Sequence, residues 1–182
     1  LTAYKLVSCL LAESDITWVP LSAAEVVRVS GNIGLNMSES EFSRRLQGYK
    51  AGAISDDVLF VGLKDNQMFL LPLEVKTGKG YDAAKAIKQA LELGRYLGEE
   101  LLNGRSLSNK LYRSLFVRQV LMQIDKYELY SVYPEGYFKK FLAEKESWLE
   151  GDYGIAHLQD YAKGFVVANL EDKKCLETSI SE

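Results

Sequence analysis

The chain has 182 residues, 47% of them hydrophobic, only three prolines, and a formal net charge of −3. That length and apolar content give one folded domain with a sizeable core, and the charge excludes a protein that coats nucleic acid through bulk positive charge. A single domain over 1–182 is expected, with a helical N-terminal part over 1–50, a core over 51–105 that carries the candidate site, and a helical insertion plus the last core strand over 106–182. The sequence begins at Leu1 rather than Met and reads as a piece cut from a longer protein. No apolar run approaches a membrane span. Cys9 and Cys175 have neither CxxC nor zinc spacing and are ordinary for a reducing cytoplasm, the expected location. His157 is the only histidine, which argues against a Ser-His-Asp or Cys-His nucleophile.

Taken in order, Thr2 to Glu13 reads as a short helix with Leu6, Leu10 and Leu11 on one face. Ser22-Ala23-Ala24-Glu25 is a capping box that opens a helix to about Val29, ending near Gly31. Ser40 to Tyr49 is a third helix. Val58 to Leu63 is a β-rich run, Lys64-Asp65-Asn66-Gln67 is turn chemistry, and Met68 to Val75 is a second apolar run, which together predict a tight hairpin. Thr77-Gly78-Lys79-Gly80 is a turn, and Asp82 caps a long helix to about Leu102, with Gly104 past its end. Ser108 to about Tyr130 has helical period, Gly136 to Leu149 reads as another helix, and Gly164 to Leu170 is the last clear strand.

The hairpin carries the chemistry. Side chains alternate along a strand, so Glu74 and Lys76 point the same way with Val75 between them facing the other side. Asp57 stands just before the first strand, where the hairpin brings it toward the end of the second. Mg²⁺ takes hard oxygen ligands and keeps several waters, and Asp57, Glu74 and the Val75 carbonyl could supply the protein's share. Lys76 could orient the attacking water or hold developing negative charge. The plainer reading is a surface ion pair between Glu74 and Lys76. An acid-x-Lys triplet should occur about once by composition, and it occurs three times here, at Glu74, Glu171 and Asp172. Only the first copy follows an apolar run with an Asp leading a paired strand upstream, and a charged pair in so apolar a hairpin is costly to bury without a role.

Asp57 followed by Val58-Leu59-Phe60-Val61, then Glu74-Val75-Lys76, resembles the PD-(D/E)XK signature of the restriction-endonuclease-like nuclease superfamily. The resemblance implies an α/β fold whose core runs helix, three-stranded antiparallel meander, helix, further strand, here with extra N-terminal and inserted helices. It implies Mg²⁺ or Mn²⁺ bound by Asp57, Glu74 and Val75, with Lys76 catalytic. The family's leading Pro is replaced by Asp56, which leaves Asp56 as a rival to Asp57. Gln89, on the helix after the signature, matches a catalytic Gln of RecB-like relatives, although Tyr96 follows at seven residues rather than three or four. Glu25 corresponds to an additional metal-related acid of some relatives, or serves only its capping box. More loosely, SDDVLFVG and LPLEVKTG look similar to nuclease modules of large helicase-type proteins of bacterial DNA defence, of the phosphorothioation-dependent kind.

Charge patterning agrees with work on DNA. From Lys76 to Arg118 nine Lys and Arg face four Asp and Glu, a net +5 in a chain of −3, so the remainder carries −8. Lys79, Lys85, Lys88 and Arg95 are the expected phosphate contacts beside the metal, and solvated helix faces are the alternative. The expected function is metal-dependent hydrolysis of DNA phosphodiesters, endo- or exonucleolytic, in restriction, defence or repair. The partners are DNA and the rest of a helicase-type protein or complex, with no membrane. The alternative is a non-catalytic DNA- or partner-binding module of the same fold.

Overall fold

The structure is a computed structural model that describes residues 2–22, 58–78, 82–104, 106–159, 161–170 and 178–179. The elements are α1 (Thr2–Leu11), β1 (Thr17–Ser22), β2 (Val58–Lys64), β3 (Gln67–Gly78), α2 (Ala83–Arg95), α3 (Leu107–Leu129), α4 (Lys139–Ala143), α5 (Lys145–Leu149), β4 (Gly154–Ala156), β5 (Phe165–Leu170) and β6 (Thr178–Ser179). The fold is mixed α/β, built on one six-stranded sheet in the order β1-β2-β3-β5-β6, with β4 also beside β3. The pairs β1/β2, β2/β3 and β5/β6 are antiparallel, whereas β3 runs parallel to both β4 and β5.

The hairpin forms as its residues predict. Lys64 pairs with Gln67, and the two residues between them, Asp65 and Asn66, have φ of 48° and 59°. Positive φ at both positions matches the right-handed twist of the strands, and Asn and Asp tolerate it better than other non-glycine residues.

Alternation then splits the core. Leu59, Val61, Leu63 and Met68 face one side, where Leu93 and Leu97 after α2's start and Phe116, Val117, Val120 and Ile124 of α3 cover them. Phe60, Leu71, Leu73, Phe165 and Val167 face the other, against Val7 and Leu11 of α1. Gly62 is registered opposite Trp18, and a Cβ there would fall 2.7 Å from the indole, so only glycine lets the ring lie flat on the sheet. The indole N–H donates to Ser14 Oγ at 2.7 Å, and that hydroxyl donates to the Leu11 carbonyl, tying the end of α1 to β1.

The sequence reading contains no strand at Thr17–Ser22. Pro20 hides it, because proline cannot donate to a ladder and is confined to edges. β1 is such an edge, and two tyrosines close its outer side. Trp18 N–H donates to Tyr137 Oη at 3.2 Å, and Tyr127 Oη–H donates to the Pro20 carbonyl at 2.8 Å. β4 is also unread, being only three residues long and held by pairing with β3. Gly136 to Leu149 is not one helix. Gly136 has a φ of 79°, and the short helices α4 and α5 meet at Glu144, whose φ of −104° lies off the helix. Phe141 and Trp148 are nevertheless both buried, their ring centroids 5.5 Å apart, so apolar spacing alone passes over the break. The capping-box and third helices, with Glu25, lie outside the described residues.

Candidate functional site

β3 is twelve residues long, and its two ends differ in their partners. β2 follows it as far as Val58 opposite Leu73. Beyond that point, among the described residues, Glu74 to Gly78 are paired only with β5, Glu74 against Val166 and Lys76 against Ala168. The alternation of β3 puts Met68, Leu70, Pro72, Glu74 and Lys76 on the face that α2 covers.

α2 approaches this face through small residues. A Cβ on Gly94 would lie 3.5 Å from the Pro72 ring, and one on Gly98 would lie 3.7 Å from Ile155 and 3.9 Å from Leu70. Four helical residues rise about 6 Å and two strand residues about 6.6 Å, so helix and strand run antiparallel in step. Ala86 and Ala90 are buried, as a close helix–strand contact requires. Asp82 caps α2 as its sequence position predicts, accepting from Lys85 N–H at 3.1 Å. The helix continues through a π-turn over Tyr96–Leu101, where Leu102 N–H reaches Leu97 O at 3.0 Å.

Glu74 is the one charged side chain buried among the described residues, at 3% exposure. Its Oε1 is in direct contact with Lys76 Nζ, and Lys76 keeps 35% of its surface in solvent. An isolated carboxylate at such depth would be strongly disfavoured, and the ammonium compensates it. The pair therefore spans from the sheet interior to the surface, a carboxylate below and a cation at the rim.

Of the other expected residues, Asp57, Asp56 and Lys79 lie outside the described set. Gln89 lies on α2, one residue before buried Ala90, and its side chain is likewise outside that set. Among the described residues no group of three His, Cys, Asp or Glu gathers into a metal cluster. Glu74 is a hard oxygen donor of the right chemistry for Mg²⁺ or Mn²⁺, and the Val75 carbonyl adjoins it in sequence. Those two fit part of a shell, and the fit needs at least one further acid.

Lys85, Lys88 and Arg95 are all exposed on α2. The basic segment is not uniformly available to a ligand. Arg113 donates from Nε to Gly151 O at 2.6 Å and from a terminal nitrogen to Leu102 O at 2.7 Å, and its guanidinium lies 4.2 Å from the Tyr153 ring centroid. It fastens the end of the α2 segment to the turn before β4, a structural use that charge counting cannot distinguish from phosphate binding. Lys110 pairs with Asp152 at 3.5 Å. Lys163 and His157, which the sequence gives no reason to connect with β3, line a cleft beside its middle. No helix among the described residues is long and apolar enough to cross a membrane. Set against protein-family models, curated proteins and solved structures, the chain matches none of them.

Proposed function

We propose that this domain hydrolyses DNA phosphodiesters with Mg²⁺ or Mn²⁺, as a restriction-endonuclease-like nuclease module working within a larger helicase-type protein. The observation that carries the reading is the buried Glu74 carboxylate, joined to the partly exposed Lys76 near the end of β3, past the last β2 partner among the described residues. The order of elements supports it: a helix, an antiparallel β1-β2-β3 meander, a helix, and then β5 parallel to β3. Asp57 is joined by one peptide bond to Val58, which is registered opposite Leu73, the neighbour of Glu74. It is the natural second acid.

In this reading Glu74 and Asp57 hold the cation with the Val75 carbonyl. A bound divalent cation polarises the phosphate and lowers the pKa of its water. Burial keeps bulk water from Glu74, which strengthens every charge interaction there. Lys76 reaches the solvent side, where its ammonium orients the attacking water or holds charge that develops on the phosphate. Exposed Lys85 and Lys88 supply phosphate contacts without sequence choice.

A second reading is a non-catalytic binding module of the same fold. It is favoured by one feature: the Lys76 ammonium itself compensates the Glu74 carboxylate by direct contact. Incubation of the protein with plasmid and oligonucleotide DNA in Mg²⁺ or Mn²⁺, with and without chelator, separates the two. We expect metal-dependent nicking that falls at least about 100-fold in Glu74→Gln and Asp57→Ala. Undiminished cleavage by Glu74→Gln removes the proposed site, and binding of DNA without cleavage by the intact parent protein selects the module.

A further inference from the structure

The sheet splits beside the middle of β3. β4 pairs with Gln67 to Phe69 and β5 with Leu73 to Gly78, which leaves Leu70, Leu71 and Pro72 with no strand on that side among the described residues. The split opens a cleft of about 350 Å³ between β3, the end of α2 and the chain that leaves β4. Its lining is apolar at the base, with Leu70, Leu71, Ile155 and Leu158, and it includes the flat rings of Phe69 and His157. Arg95 and Lys163 contribute cations and Glu99 one acid. Arg95, Lys163, His157 and Glu99 are all exposed, which places the charges at the mouth.

We infer that this cleft is a nucleotide subsite, taking one unstacked base against its apolar and ring-bearing wall with the attached phosphate at Arg95 and Lys163. The cleft volume is at the lower end of the range for small-ligand sites. A base needs an apolar or aromatic face to stack on and a phosphate needs cations, and the cleft provides both. Position adds to the argument. Leu71 precedes Glu74 by three strand residues, about 10 Å, or about three base steps. α2 runs antiparallel to β3, so its exposed Lys85 and Lys88 lead from the Lys76 end toward Arg95 at the mouth. A strand that follows those cations from the Glu74 end arrives at the cleft. The choice of a nucleotide as ligand rests on the nucleic-acid reading above, whereas the cleft and its charges do not.

The ligand chemistry is shared by a free mononucleotide and by the unpaired end of a DNA strand. Equilibrium binding is measured in chelator, so that cleavage plays no part, using dAMP, a single-stranded 12-mer and a blunt duplex of the same sequence. The probes are tested against the wild type, Lys163→Glu, Ala156→Phe to fill the cleft, and Lys145→Glu as an exposed reversal of equal charge elsewhere. We expect Lys163→Glu and Ala156→Phe to weaken single-strand binding at least fivefold more than Lys145→Glu does, with a smaller loss on the duplex. Binding of dAMP with no preference for the 12-mer assigns the cleft to free nucleotides, and tighter binding of the 12-mer assigns it to a strand. Lys163 is at the surface, so its variant keeps the fold if Ala156→Phe does not. Equal single-strand affinity in Lys163→Glu and Lys145→Glu overturns the subsite. Loss of binding in the cleft variants of a protein that never cleaves DNA leaves the subsite standing and removes only the nuclease. Cleavage that depends on Glu74 together with unaltered binding in the cleft variants does the reverse.

Discussion

Ion pairs flank the β2–β3 hairpin at its turn, and another lies at the far end of β3, in opposite settings. At the turn, Lys64 meets Asp15 at 2.6 Å and Lys140 meets Asp65 at 2.9 Å, all four side chains at least one-third exposed. The Lys64 ammonium hydrogen-bonds Asp15 and holds its carboxyl below the ordinary value, yet water surrounds the pair. At the far end Glu74 is 3% exposed, and Lys76 is its compensation. Exposed pairs contribute little because solvent screens them and two long side chains lose freedom. A buried pair is usually no more stabilising than apolar residues of the same volume, so its presence calls for a reason other than stability. The comparison teaches that geometry of contact is a poor guide to purpose, and that burial is the better one.

The largest expected effect breaks the comparison at its buried end. Lys76→Met leaves a buried carboxylate without its cation and should cost about 3 kcal/mol, the low end for such pairs because Lys76 is partly solvated. Adding Glu74→Leu should restore most or all of that loss in a urea melt while DNA cleavage stays abolished. A double variant that remains as unstable as the single one would mean that the pair exists for the fold.

A second, smaller effect concerns the edge of β1. Tyr127→Phe orphans the Pro20 carbonyl and Tyr137→Phe orphans the Trp18 amide, each at about 1 kcal/mol or a little more. Either should lower the melting temperature by a few degrees. Opening the edge should also promote concentration-dependent association. Burial pushes the phenols of Tyr127, Tyr133, Tyr137 and Tyr153 above their ordinary value, with the Arg113 cation opposing this at Tyr153. Unfolded tyrosine gives up its proton near pH 10, before these groups do. Their contribution is therefore intact below about pH 10 and is lost as pH rises through the folded-state values. Denaturant melts from pH 8 to 11 should show the decline, and a flat profile would place these hydroxyls in water.

The smallest effect sharpens the comparison at its exposed end. Lys64→Met and Lys140→Met should each move the melting temperature by less than about 2 °C, and added salt should shrink that difference further. A drop as large as that of Lys76→Met would erase the contrast between the two ends.

Much of this arrangement follows from local chemistry. The Asp65-Asn66 turn, the alternation of Val58 to Lys64, the Asp82 cap and the apolar stripe of α2 are properties of neighbouring residues, so periodicity and capping rules reach them. The facing of Glu74 and Lys76 to one side of β3 is equally local, because a strand repeats every two residues. Tertiary structure decided what these rules cannot see. It made Thr17–Ser22 a strand in spite of Pro20, since an edge needs no proline N–H and two distant tyrosines bond its free groups. It diverted Arg113 from any ligand to two carbonyls far away in sequence. It packed α2 closely on β3 at Gly94 and left Glu74 buried while Lys76 remained partly exposed. Burial is set by what packs on a residue from elsewhere in the chain. The sequence therefore determined which groups could do chemistry, and packing alone decided which of them are held out of water.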